Sequence, residues 1–131
     1  MLAGENIVGI GYDMVEVSRI ELVLSRWGSR FEDRVFTTRE IEYCKSKKNQ
    51  SQRLACRFAA KEAVFKALGT GWRVGIRWKD VEVTNDDLGK PIITLSGEAK
   101  NLSRQLGVSN IFVSMTNTKD YGAAQVILTS Q

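Results

Sequence analysis

The spacing of apolar positions along this chain changes several times, and each change marks an element. Ile7-Val8-Gly9-Ile10-Gly11-Tyr12 is a β-branched run broken by glycines. It predicts a strand whose backbone passes close to another part of the fold. Asp13 stands where that strand is expected to end, and with a helix following it would serve as an N-cap. Val17, Ile20, Val23, Leu24 and Trp27 form a stripe at helical spacing, which predicts a helix from about Met14 to Trp27, stopped by Gly28. Thr37-Thr38-Arg39-Glu40 reads as a capping box opening a helix that carries Ile41, Tyr43 and Cys44. Lys45 to Gln52 is polar and without period, so a loop or frayed turn is expected there. A long Ala- and Leu-rich segment from about Ser51 to Leu68 predicts the central helix, ending at Gly69.

The second half alternates at period two. Trp78–Thr84 and Pro91–Leu95 predict a hairpin around Asp86-Asp87-Leu88-Gly89-Lys90. Ser96 is placed to cap a helix running to about Leu106, which Gly107 stops. Asn110–Met115 and Tyr121–Leu128 are the last two strands, and Met1 to Asn6 is short and polar enough to fray. The order β-α-α-α-ββ-α-ββ predicts an α+β fold, with helices packed on a mostly antiparallel sheet. At 131 residues the chain is expected to form a single domain over 1–131.

The central helix carries the first candidate chemistry. Phe58, Glu62, Phe65 and Lys66 recur at spacings of three and four, so a carboxylate sits between two phenyl rings on a face expected to be buried. An unpaired buried carboxylate is costly, so Glu62 needs a partner. Lys66, four residues on, offers a helical ion pair of roughly 0.3–0.5 kcal/mol. A metal ion is the other reading, and the spacing leaves both open. Arg57 and Lys61 fall on the other side of the helix. Gly69-Thr70-Gly71 follows a helix and lacks a Gly-Lys-Ser/Thr ending, which excludes a P-loop.

Composition narrows the chemistry. The chain has no histidine and two separated cysteines, Cys44 and Cys56, so a zinc site is excluded. A metal here would be held by oxygens, which points to Mg²⁺ with water and substrate phosphates completing its shell. No imidazole can act as general base, so that role would fall to a carboxylate, a water or the substrate. No apolar run approaches the roughly 20 residues that span a bilayer, and no signal-peptide core is visible. A cytoplasmic protein with no membrane partner is expected, its cysteines reduced and used for packing. The net charge of +4 favours anionic partners without requiring nucleic acid. Arg19, Arg26, Arg30 and Arg34 cluster near Asp13 in sequence, either as a solvated face or as a docking surface for an acidic protein.

Two motifs, taken together, carry a resemblance. Gly9-Ile10-Gly11-Tyr12-Asp13-Met14 and Arg57-Phe58-Ala59-Ala60-Lys61-Glu62-Ala63-Val64-Phe65-Lys66-Ala67-Leu68-Gly69-Thr70-Gly71 are similar to the opening and helix motifs of the holo-acyl-carrier-protein synthases. These are the small bacterial 4'-phosphopantetheinyl transferases, and the likeness runs from about Val8 to Ile127. The resemblance implies the 4'-phosphopantetheinyl transferase fold. It also implies transfer of the 4'-phosphopantetheine arm of coenzyme A to a serine of apo-acyl carrier protein, releasing adenosine 3',5'-bisphosphate in support of fatty acid biosynthesis. By the same resemblance Asp13 and Glu62 are metal ligands for Mg²⁺, with Lys66 as their catalytic companion. Arg57, Lys66, Gly69 and Asn117 border coenzyme A, and Arg19, Arg30 and Phe31 contact the carrier. Family members of this length form homotrimers with active sites between subunits.

One departure stands out. The family's last turn usually carries a histidine, and here Ser114-Met115-Thr116-Asn117-Thr118 places Asn117 there. Asparagine donates and accepts hydrogen bonds but does not exchange a proton near neutral pH. Asn117 either keeps a positioning contact to the nucleotide, or marks a slower enzyme or one that has lost the activity; with Asp13, Glu62 and Lys66 retained, the positioning contact is expected, with a carboxylate or metal-bound water as base. The rival reading is a non-catalytic basic module binding nucleotides or nucleic acid. Against it, no stacking-aromatic signature or recognition-helix pattern is visible.

Overall fold

The computed structural model of the chain describes residues 6–70 and 75–131. The expected fraying at Met1–Glu5, and Gly71 of the helix motif, lie outside them. The elements run β1 (Asn6–Glu16), α1 (Val17–Trp27), α2 (Ser29–Val35), α3 (Thr38–Lys45), α4 (Gln50–Ala67), β2 (Val81–Asn85), β3 (Pro91–Leu95), α5 (Gly97–Gln105), β4 (Asn110–Asn117) and β5 (Tyr121–Ser130). This is the expected α+β architecture, antiparallel throughout: a three-stranded sheet in the order β1-β5-β4, and a separate β2–β3 hairpin.

The hairpin stands apart from the main sheet for a visible reason. Main-chain groups of Val81 and Val83 bond to the side chains of Lys61 and Glu40, which draws β2 to the far side of α4. Other differences from the sequence reading are local. β1 extends to Glu16 because it pairs residue for residue with β5, Asp13 opposite Ala124 and Glu16 opposite Tyr121. Asp13 therefore lies inside a strand and is not a helix cap; Glu16 holds that position, without a side-chain cap bond. Helix α2, seven residues long, was too short to show a period; Gly28, at φ 51°, separates it from α1. The polar stretch after α3 gives way to α4 already at Gln50, and a 3-10 turn at Trp78–Asp80 precedes β2. Ser96 occupies an N-cap position without making a side-chain cap bond. The Thr37–Glu40 capping box forms as expected, with Glu40 N–H to Thr37 Oγ1 at 3.3 Å and Thr37 N–H to Glu40 Oε1 at 2.8 Å.

Helix α4 lies directly on the sheet. A Cβ on Gly9 or Gly11 would collide with the carbonyl oxygen of Ala67 or Ala63, and one on Gly122 would stand 2.7 Å from the Cys56 nitrogen. Only glycine permits strand and helix backbones to approach this closely. On the helix side the contact is made by small residues: Ala55, Ala59, Ala60, Ala63 and Ala67 are all buried. Cys44 and Cys56 are free thiols in this core, and burial pushes the Cys44 thiol up to about 11, which keeps it protonated.

The other face of the sheet is uncovered. Ile10, Tyr12 and Met14 of β1 and Phe112 of β4 are each about half exposed. Ile10 and Phe112 both oppose Ile127 on β5, so these side chains form continuous apolar rows.

Candidate active site

One flank of α4 gathers the acidic groups. Lys66 Nζ lies 2.9 Å from Asp13 Oδ1 and donates also to the Tyr12 carbonyl at 3.0 Å, tying the helix to β1. Lys66 thus pairs across the fold with Asp13 instead of capturing Glu62 within the helix. Glu62 is half-buried, where a fully buried face was expected. Burial raises its pKa first, and the nearby Asp13 carboxylate raises it further, against weaker opposition from Lys66 and Arg19. The two carboxylates thus crowd one small volume. No third carboxylate, His or Cys joins them in a metal-ligating group among the described residues. Gly69 follows the helix end at φ 78°, with nothing within 4 Å of where a Cβ would stand, so the rim of this flank is open.

The opposite flank carries a different site. Arg57 and Asn117 line a cavity of about 170 Å³ together with Tyr43, Arg53, Cys56, Asn85, Gly89, Pro91 and Met115. Arg57 is 2% exposed and has no carboxylate ion-pair partner among the described residues. It donates to Asn85 Oδ1, sits 4.6 Å from the Tyr43 ring centroid, and leaves its Nε without a hydrogen bond. Asn117 donates to Gln52 Oε1 at 2.9 Å. Five helical steps of about 100° each put Arg57 about 140° round α4 from Glu62. This is the placement that the helical spacing predicts, with Arg57 on the side of α4 away from Glu62.

A third feature is a groove between α1 and α2. Arg30 and Phe31 line a 460 Å³ hollow with Val23, Trp27 and Arg34. Arg19 and Phe31 share the adjoining 310 Å³ groove with Phe58 and Trp78.

A statistical description of the 4'-phosphopantetheinyl transferase superfamily matches residues 9–126. The chain belongs to this family. It is 50% identical over 122 residues to a holo-[acyl-carrier-protein] synthase of Solibacter usitatus, covering 93% of this chain and 98% of that one. To the protein of the same description from Vibrio cholerae it is 46% identical, covering 93% and 97%. Among solved structures, the holo-ACP synthase of Plasmodium yoelii matches with a TM-score of 0.84 at 30% identity, covering 98% of both chains. The Bacillus anthracis synthase, solved in complex with CoA (3',5'-ADP), matches with a TM-score of 0.79 at 38% identity, covering 98% of this chain and 100% of that one.

In this transferase the family motifs acquire physical reasons. Gly9 and Gly11 permit α4 to lie against β1, which brings Asp13 beside Glu62 and Lys66. Arg53, Tyr43, Asn85 and Pro91 line the Arg57 pocket, and the sequence reading passed over all four. Arg53 alone had a signal, four residues before Arg57 and so on the same helix flank. Asn85 and Pro91 come from the hairpin, whose approach no spacing encodes. Lys61, on the side of α4 away from Glu62 as the spacing predicts, is fully buried and ion-paired at 2.9 Å with Glu40.

Proposed function

We propose that this chain transfers the 4'-phosphopantetheine arm of coenzyme A to a serine of apo-acyl carrier protein. The cofactor is Mg²⁺, the released product is adenosine 3',5'-bisphosphate, and the reaction serves fatty acid biosynthesis in the cytoplasm. The observation that carries this reading is the convergence of Asp13, Glu62 and Lys66 on one flank of α4. It is supported by the coenzyme A captured in the related Bacillus anthracis structure.

The residues fit a magnesium ion. Two crowded carboxylates with oxygen donors only are what Mg²⁺ uses when waters and substrate phosphates fill the rest of its shell. When bound, the ion supplies Lewis acidity and a template for the pyrophosphate. The chain's own groups do the remainder. Lys66 holds Asp13 in place and, with its ammonium on the open side of the cluster, faces the phosphates whose charge rises during transfer. The serine oxygen attacks the β-phosphorus, and the bond to the bridging oxygen breaks, leaving the bisphosphate. The serine proton goes to a carboxylate or to water. Arg57 and Asn117 bind the nucleotide end of coenzyme A, with Gly69 leaving the rim free of side chain.

The two flanks face about 140° apart round one helix, an arrangement that neighbouring subunits could use to supply different parts of one coenzyme A site. This supports a homotrimer with active sites shared between subunits, and the uncovered apolar sheet face is the surface such an assembly would bury. The groove carrying Arg19, Arg30 and Phe31 combines guanidinium groups with an apolar floor, which suits an acidic helical carrier. Among the described residues no helix is long and apolar enough to cross a membrane. Mass spectrometry of apo-carrier protein incubated with this chain, coenzyme A and Mg²⁺ tests the proposal. One added phosphopantetheine group is expected, and an unchanged carrier mass refutes it.

A further inference from the structure

The most deeply buried cation in the described fold touches none of the proposed substrates. Lys61 is 0% exposed and its partner Glu40 1%. The Lys61 ammonium pairs with Glu40 Oε1 at 2.9 Å and donates to the carbonyls of Trp78, at 3.2 Å, and Val81. Glu40 is equally committed, accepting from the main-chain N–H groups of Thr37 and Val83, each at 2.8 Å. One side chain of α4 is thereby fastened to α3, to the 3-10 turn and to β2. We infer that Lys61 is a positioning residue, which fixes the rotation of α4 about its axis and so the placement of Glu62 beside Asp13; this rests on the transferase reading above.

Three observations support the assignment. First, replacing a buried ion pair by apolar side chains is often neutral or stabilising, so stability alone does not account for this one, whereas fixing register does. Second, the opposite side of α4 grips less tightly. Its contact with β1 and β5 is glycine against alanine, and the side-chain ties from α4 to the sheet include the half-exposed Lys66 to Asp13 and Tyr12, and the Cys56 thiol to the Thr116 carbonyl. Third, the carbonyl that Lys61 holds belongs to Trp78, whose ring stacks on Phe58 at 5.0 Å and meets Phe65 edge-on at 5.5 Å. Those rings flank Glu62 one turn before and one turn after it. With side chains about 5–6 Å from the helix axis, a rotation of about 10° moves the Glu62 carboxyl by about 1 Å. A displacement of that size at a reacting centre costs on the order of 10²-fold in rate.

The test is the double variant Lys61→Met/Glu40→Gln, which removes both charges with little change in volume and leaves no buried ion unpaired. Expected are a retained cooperative melt, kcat at saturating coenzyme A and Mg²⁺ lowered on the order of 10²-fold, and a KM for coenzyme A within about threefold of the parent. In crystals without ligand, the Glu62 carboxyl should shift by about 1 Å relative to Asp13. A kcat within about threefold of the parent, or a Glu62 that superimposes on its parent position, overturns the inference. If the double variant does not melt cooperatively, Glu40→Asp replaces it and is read in the same two ways; it keeps both charges and shortens the grip by one methylene. If the parent transfers nothing, the transferase reading fails, and the displacement of Glu62 alone decides the role of Lys61.

Discussion

Gly11→Ala is a one-carbon change whose effect can be worked out from the packing of α4 on β1. The added methyl would overlap the Ala63 carbonyl oxygen and stand 2.6 Å from its carbon and 3.0 Å from the Ala67 nitrogen. Non-bonded carbons settle at about 3.5–4.0 Å, so relieving the carbon contact alone separates helix and strand by about 1 Å, and the closer carbonyl oxygen demands more. Every obstructing atom is helix backbone, and no side chain can swing aside. Overpacking of this kind costs about 1–3 kcal/mol, and the rigidity here argues for about 2–3 kcal/mol. For a domain of this size each kcal/mol lowers Tm by about 4 °C, giving a fall of about 8–12 °C. The same separation parts Asp13, two residues on, from Glu62, so kcat should drop on the order of 10²-fold. Gly107→Ala is the control. Nothing lies within 4 Å of its Cβ position, and only its φ of 76° opposes the change. A left-handed backbone costs alanine about 1–2 kcal/mol, so Tm falls by less and kcat holds. Differential scanning fluorimetry with the mass-spectrometric transfer assay reads both quantities. A Gly11→Ala protein melting within about 2 °C of the parent with unchanged kcat would refute the close-approach argument.

Asp13→Asn should lower transfer by about 10²–10³-fold. It should also bring the Glu62 pKa part of the way down, since burial, the larger cause of its elevation, remains. In the parent the folded state favours neutral Glu62, so that contribution is present below the ordinary carboxylate pKa and lost as pH rises through the elevated folded value. Metal-free melts between about pH 4 and 8 should therefore lose less stability on rising pH in the variant; an identical slope in both would contradict the crowding of the two carboxylates. Phe112→Glu places a charge in the uncovered apolar row and should dissociate the homotrimer proposed above, as read by light scattering after gel filtration; an unchanged mass with full activity would count against that face as an interface. Asn117→His should leave the pH–rate profile nearly unchanged, whereas a new acid limb near the imidazole pKa of about 6.5 would show that this position takes part in proton transfer.

The sequence carried most of the element order, because the long helix and the strands have clean periods and glycine or capping-box boundaries. It missed α2, where seven residues show no stripe. It also placed the end of β1 three residues early, because cross-strand pairing with β5 overrode the local cap signal at Asp13. The acidic flank was legible as residue types, although the Lys66–Asp13 pair depends on two segments meeting and no helical spacing announces it. The second flank was legible only in Arg57 and Asn117. The Tyr43, Asn85 and Pro91 that complete its cavity arrive from α3 and the hairpin. Lys61 was the hardest to read, since a lysine in an alanine-rich helix ordinarily points to solvent. Its anchor, Glu40, lay in view as half of a capping box, and only the fold shows that the carboxylate reaches past its own helix.

If the proposed homotrimer shares its sites between subunits, the placement of the acidic flank and the guanidinium pocket on different sides of α4 should let two crippled versions of this chain repair one another. Asp13→Asn cripples one half and Arg57→Ala the other, and each protein alone should turn over at least about 10²-fold below the parent. Co-refolded in equal amounts as mixed trimers, about one interface in four should join an intact half from each, so the blend should regain about a quarter of parental turnover. Silence from the blend would mean that each subunit works alone.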